Sequence, residues 1–215
     1  MRRARAVPTL VVLALVAAAI YALAAAPAGP RSIRRFEPDR LANLELRMWQ
    51  AYYARQNVRL FALLLATLRE QYHYSWAVAA REGFHLARAA ATFGKARDHY
   101  EVVLPDLEAA YTTAARWLRA GFDPAAVARA ELAWWVARRI PGQNEPAQVG
   151  GLIADEYALL YEAPRSAVLR AALLRAQAAA IRDAQAPQPD WDAIGSLLQR
   201  SYRDLAENLS RPSPE

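Results

Sequence analysis

Residues 39–71, DRLANLELRMWQAYYARQNVRLFALLLATLREQ, run 33 positions without a proline or a glycine. A run of that composition predicts one helix, about 50 Å long at about 1.5 Å per residue, with Asp39 as its cap. Stepping about 100° per residue from Leu41 gathers Leu41, Ala42, Leu46, Trp49, Tyr52, Tyr53, Leu60, Leu63 and Leu64 into one arc about 140° wide. Glu45, at about 40°, and Gln56, at about 60°, fall inside that arc instead of opposite it. An ionised carboxylate on a buried face must find a counter-charge, a metal or a proton.

The same punctuation continues along the chain. Ser75 caps a segment reaching Phe93, and Asp98 opens one reaching Ala120 that Pro105 is expected to kink or split. Gly121 follows as a terminator, and Asp123-Pro124 reads as a cap followed by proline in the first helical turn. That helix ends before Pro141-Gly142, and further helices follow at about 147–161, 164–185 and 190–209, the last capped by Asp190. No run alternates as a half-buried strand does. The expected fold is all-α: a single antiparallel bundle of six to seven helices behind an N-terminal hydrophobic span, since short connections make successive helices neighbours.

The N-terminus follows a different rule. Arg2, Arg3 and Arg5 precede seventeen uncharged residues, Leu10–Ala26, or twenty-one counted from Ala6. That length lies between a signal-peptide core and a spanning helix. The expected division is therefore 1–30, a signal peptide or signal anchor; 31–38, a basic juxtamembrane linker; 39–209, the helical domain; and 210–215, a disordered tail. The layout places the chain in the bacterial inner membrane, single-pass through residues 6–26 with the domain outside the cytoplasm. The alternative is a periplasmic or secreted form cleaved near Ala28.

Composition removes several functions. The chain has no cysteine, which excludes disulfides, thiolate metal sites, a cysteine nucleophile and covalent c-type haem. The net charge of +6 sits near the start: residues 1–30 carry +3, residues 31–40 carry +2 and the remaining 175 residues only +1. A nucleic-acid footprint would put a basic stripe on the folded body, so no nucleic-acid partner is expected. There is no phosphate-cradling glycine loop, no G-x-S-x-G and no His-Glu-x-x-His.

Two further helices repeat the anomaly of Glu45. Glu82 leans inward within Glu82-x-x-His85, on a helix whose alanines and Gly83 make it thin enough for close approach. Glu131 lies among Val127, Trp134 and Trp135. Glu45, Glu82, His85 and Glu131 form the candidate metal set, with iron, manganese or zinc as the cofactor and a di-metal oxidoreductase as the chemistry, because carboxylate bundles supply such ligands at this spacing. The set carries one Glu-x-x-His where a di-metal bundle carries two, so a non-catalytic binding or scaffold module of the cell envelope, with no cofactor and an envelope protein partner, ranks ahead of it. In that reading Glu45, Tyr52, Gln56 and Arg138 form a buried polar network. Adjacent Trp134 and Trp135 point about 100° apart, so at least one is exposed as a partner surface unless their helix is central.

Overall fold

The computed structural model describes residues 6–211. Among them are nine α-helices and no strand: α1 (Ala6–Ala24), α2 (Pro38–Tyr53), α3 (Asn57–Tyr72), α4 (Trp76–Lys95), α5 (Leu104–Leu118), α6 (Pro124–Ala137), α7 (Pro146–Leu160), α8 (Arg165–Ala184) and α9 (Trp191–Ser210). The all-α expectation holds; the count of six to seven does not. The extra helix comes from the opening stretch. Ala54 and Arg55 turn back onto Gln50 and Tyr52, Gln56 N–H bonds to Ala51 O, and Arg55 takes a left-handed φ of +56°, so the 33-residue run divides into α2 and α3. No proline or glycine marks this break, because a polar Ala-Arg-Gln segment at the bundle's end can turn without one.

Several caps fall where expected. Ser75 Oγ accepts from Val78 N–H at 3.3 Å. Asp123 accepts from Ala125 N–H at 2.9 Å, with Pro124 opening α6. Asp190 accepts from Asp192 and Ala193 at the start of α9. Asp98 does not cap a helix: a 3-10 turn at Tyr100–Val103 follows, and Pro105 occupies the first turn of α5, where its missing N–H costs nothing. Asp39 sits inside the first turn of α2, paired with Arg203, not at the cap. Arg119, in the left-handed region, ends α5 two residues before Gly121.

The helices close into a ring. Each of α2 to α9 packs on its chain neighbours, and α9 returns to pack on α2. One face of every helix therefore looks at a shared interior. Gly83 lets α3 come close to α4, since a Cβ there would meet Leu65 and Phe61 at 3.2 and 3.4 Å. The principal core threads the ring, from Leu41 and Ala42 through Val127, Ile153 and Val168 to Leu198 and Leu205.

Among the described residues no helix is long and apolar enough to cross a membrane. The expected single-pass span through residues 6–26 is therefore not supported. Arg2, Arg3 and Arg5 lie outside the described residues. So does the tail from 212 onward; Ser210 belongs to α9.

Residues 31–38 lie as a strap on the ring. Arg31 stacks on Trp117 at 3.9 Å, Arg34 donates to Leu209 O, Glu37 N–H donates to Gln71 Oε1, and Ile33 and Phe36 pack on the core. Just upstream, Gly29 lies against the His73 ring, where any Cβ would come within 2.2 Å.

Candidate functional site

The ring's interior holds a cavity of about 250 Å³. Glu45 enters it from α2, Glu82 from α4 and Glu131 from α6, with Tyr72, Tyr111, Arg175 and Tyr202 contributed by α3, α5, α8 and α9. Leu41, Met48, Leu64, Leu68, Leu86 and Ala110 supply an aliphatic side. The three glutamates singled out in the sequence thus share one cavity. The ring explains it: a residue on the inner face of any member points toward the same space.

The carboxylates are not equivalent. Glu45, 5% exposed, takes both Nε and Nη2 of Arg175 on Oε1, at 2.9 and 2.6 Å, and the Tyr202 hydroxyl on Oε2 at 2.6 Å. Arg175 is mostly buried, its side chain 16% exposed, and its guanidinium lies 4.9 Å from the Trp134 ring centre. Every strong acceptor of Glu45 is used, which is the condition under which a buried ion pair is tolerated.

Glu82, 6% exposed, has no guanidinium, and its buried Oε2 has no hydrogen-bond partner among the described residues. Burial pushes its carboxyl up to about 8, against the opposing pull of the Tyr74 hydroxyl. Glu131 is partly exposed as a residue, but its carboxyl turns inward to accept from Tyr111 at 2.8 Å. Burial and then the neighbouring Glu156 push it up to about 8, opposed by Tyr111 and Arg175.

Glu156 was not visible from the sequence. It stands on α7, is 5% exposed, accepts from Trp134 Nε1, and lies 3.3 Å from the Tyr111 hydroxyl. Burial raises its carboxyl, Arg175 opposing. Tyr111 has one hydroxyl proton and two carboxyl neighbours. That proton serves Glu131 at 2.8 Å better than Glu156 at 3.3 Å, and a proton held by one of the two carboxyls would relieve the pair. Four buried carboxyls thus face one buried arginine, and neutrality in the interior is reached by protons or by a cation.

The other sequence-derived residues lie elsewhere. His85 turns out of the cavity: its Nδ1 meets Asp106 Oδ1 at 2.8 Å, and Arg88 Nε donates to Asp106 Oδ2 at 2.6 Å. A carboxylate on α5 captures it there. The expected network of Glu45, Tyr52, Gln56 and Arg138 does not form. Tyr52 is 38% exposed and edges onto Tyr53, exposed Gln56 accepts from Arg59, and Arg138 donates to Asp183 at 2.7 Å and Tyr53 at 3.2 Å. Tyr52 and Gln56 end α2 and its turn, beyond the part of the helix that the ring covers. Trp134 is buried against Glu156, and Trp135 is half-buried against Phe93 at 5.0 Å. Both fit because α6 is wrapped by α5 and α7. Among the described residues no three carboxyl or imidazole groups stand close enough to hold one metal ion. Comparison with protein-family models, curated proteins and solved structures finds no match.

Proposed function

We propose that this chain is a non-catalytic binding module of the cell envelope, attached to the membrane through residues 6–26, whose interior cavity receives a small positively charged ligand. The observation that carries the reading is the balance of charge around the cavity: Glu45, Glu82 and Glu131 line it, Arg175 is the one guanidinium among its lining residues, and Glu45 takes that guanidinium. Unpaired buried carboxyls are costly, and a cation entering the cavity supplies the missing charge. Attachment draws on α1, where Val12, Leu13, Leu15, Ile20, Tyr21 and Leu23 are each more than half exposed; an apolar stretch of that size is stable only against lipid or another apolar surface. The test is thermal unfolding of the full chain in detergent with a panel of inorganic and organic cations. Stabilisation by at least one cation, absent in Glu82→Gln, supports the reading; no response from any cation refutes it.

The second reading, a carboxylate metal site, draws on Glu82 and Glu131 facing one cavity from α4 and α6. Carboxylate oxygens suit manganese or iron, and zinc less well without an imidazole. Elemental analysis of the purified chain with and without Glu82→Ala decides it: near-stoichiometric metal lost in the variant favours this reading.

A further inference from the structure

Resting on the membrane attachment proposed above, we infer that the outer face of α4 lies on an anionic phospholipid surface, with Trp76 and Phe84 at headgroup level and Arg81, Arg88 and Lys95 on the phosphates. α4 has two apolar faces where a member of the ring needs one. Stepping about 100° per residue from Trp76, its buried residues Ala79, Glu82, Gly83, Ala89 and Phe93 fall between about 220° and 340°. On the other side, Trp76, Ala77, Ala80, Phe84 and Ala91 fall between 0° and about 100°, and all are exposed. A helix buried on one side ordinarily turns polar residues outward. This one turns out two aromatic rings, Trp76 at 45% and Phe84 at 53% exposure, among alanines.

Charge points to the partner. Arg81, Arg88 and Lys95, spaced by seven residues and all exposed, run along one edge of the outer arc, at about 140°, 120° and 100°. The single acid of α4, Glu82, is on the inner face, and the Asp106 that Arg88 reaches is itself buried. Two guanidiniums cover the rings: Arg69 lies 4.0 Å from the Trp76 ring centre and Arg88 5.1 Å from that of Phe84. Aromatic rings beside a basic edge suit a helix lying in the plane of a bilayer interface.

Position favours lipid over a protein groove. α1, with its exposed apolar side chains, packs on α4, and the chain leaving it sets Gly29 against His73, three residues before Trp76. Lipid that meets α1 therefore lies beside the Trp76 end of the outer face. Arg31 and Arg34, on the strap that follows, are taken up by the Trp117 ring and by Leu209 O, so α4 supplies the basic surface there.

The chain has no cysteine, so a single thiol can be placed at will. A nitroxide is attached to the full chain at Ala80→Cys, on the outer face of α4, and separately at exposed Gln177→Cys, on α8 across the ring. Each protein is reconstituted into phosphatidylcholine vesicles with and without phosphatidylglycerol and floated. The label is then read by its access to oxygen, which partitions into lipid, and to a water-soluble nickel chelate. With phosphatidylglycerol the label at 80 is expected to be open to oxygen and shielded from nickel, and the label at 177 open to nickel. Arg81→Glu combined with Lys95→Glu is expected to shift the label at 80 back toward nickel by about 25-fold or more, about fivefold for each basic residue at an anionic surface. If the chain does not float, membrane attachment fails and this inference with it. If it floats and both labels are equally open to nickel, attachment stands and the lipid-facing α4 is overturned. Shielding at 80 from both reagents marks a protein covering the face, and equal shielding without phosphatidylglycerol removes the role of charge; either result overturns the inference.

Discussion

Glu45 and Glu82 are the same residue type, within one percentage point in exposure, on the wall of one cavity, yet they are held in opposite ways. Glu45 has a buried guanidinium and a tyrosine hydroxyl, and it ties α2 to α8 and α9. Glu82 has neither counter-charge nor full hydrogen bonding, and its carboxyl holds its proton up to about 8. Burial alone does not decide what a carboxylate does in a protein interior; the number of donors aimed at it does. The saturated one ties three helices of the ring together, and the other keeps a carboxyl oxygen without a partner among the described residues.

The sharpest way to break this contrast is to make Glu45 resemble Glu82. Arg175→Met removes the guanidinium and leaves Glu45 with Tyr202 alone. We expect a loss of about 3–5 kcal/mol in urea unfolding at neutral pH, the cost of stranding a buried charge. A loss below about 1 kcal/mol would mean the pair is not the closure it is described as.

The pH profile separates the two ends next. A carboxyl with a folded pKa above its unfolded value contributes stability that is complete below about 4.5 and is lost as the pH rises through about 8. Between those limits the folded chain holds protons that the unfolded chain has released. Stability should therefore fall with rising pH, by about 1.4 kcal/mol per pH unit for each such carboxyl. Glu82→Gln should remove one carboxyl's share of that slope and be more stable than the parent at pH 8. Equal slopes in the two proteins would place the Glu82 pKa near its ordinary value.

Tyr111→Phe tests the hydroxyl shared by Glu131 and Glu156. It deletes the hydroxyl between them and is expected to cost about 1–3 kcal/mol, measured at pH 6. The smallest effect belongs to a control that leaves all the carboxyls in place. Ser75→Ala removes the cap of α4, the helix carrying Glu82, and should cost about 1 kcal/mol with the pH slope unchanged. A changed slope would show that Glu82 responds to the seating of its helix as well as to its own surroundings.

Helical geometry made part of this site legible. On α2 and α4 most positions have a clear inner or outer assignment, so Glu45 and Glu82 stood out by angle, whereas Glu131 stood out as the one acid among the alanines and tryptophans of α6. Arg175 could not be found that way. It lies on α8 among alanines, with Arg182 two turns on at nearly the same angle and Arg165 and Arg170 at others, and no apolar arc says which arginine points inward. Glu156 was hidden for a related reason: α7 is apolar on nearly every side, so a single glutamate has no polar face to be missing from. His85 fails in the opposite sense, because its angle permitted the cavity and Asp106, twenty-one residues away, decided otherwise.

Local order needs only local information. Propensity, the 3.6-residue repeat and capping side chains act within a turn or two, so the all-α class, the caps at Ser75, Asp123 and Asp190, and the inward lean of Glu45 and Glu82 follow from the chain itself. Partner identity is different in kind. Glu45 meets Arg175 across 130 residues and Tyr202 across 157, distances over which no periodicity in the sequence is carried. Only the closing of α9 on α2 brings those groups together, and it was this closure that decided which carboxylate is saturated and which is left with an unpartnered oxygen.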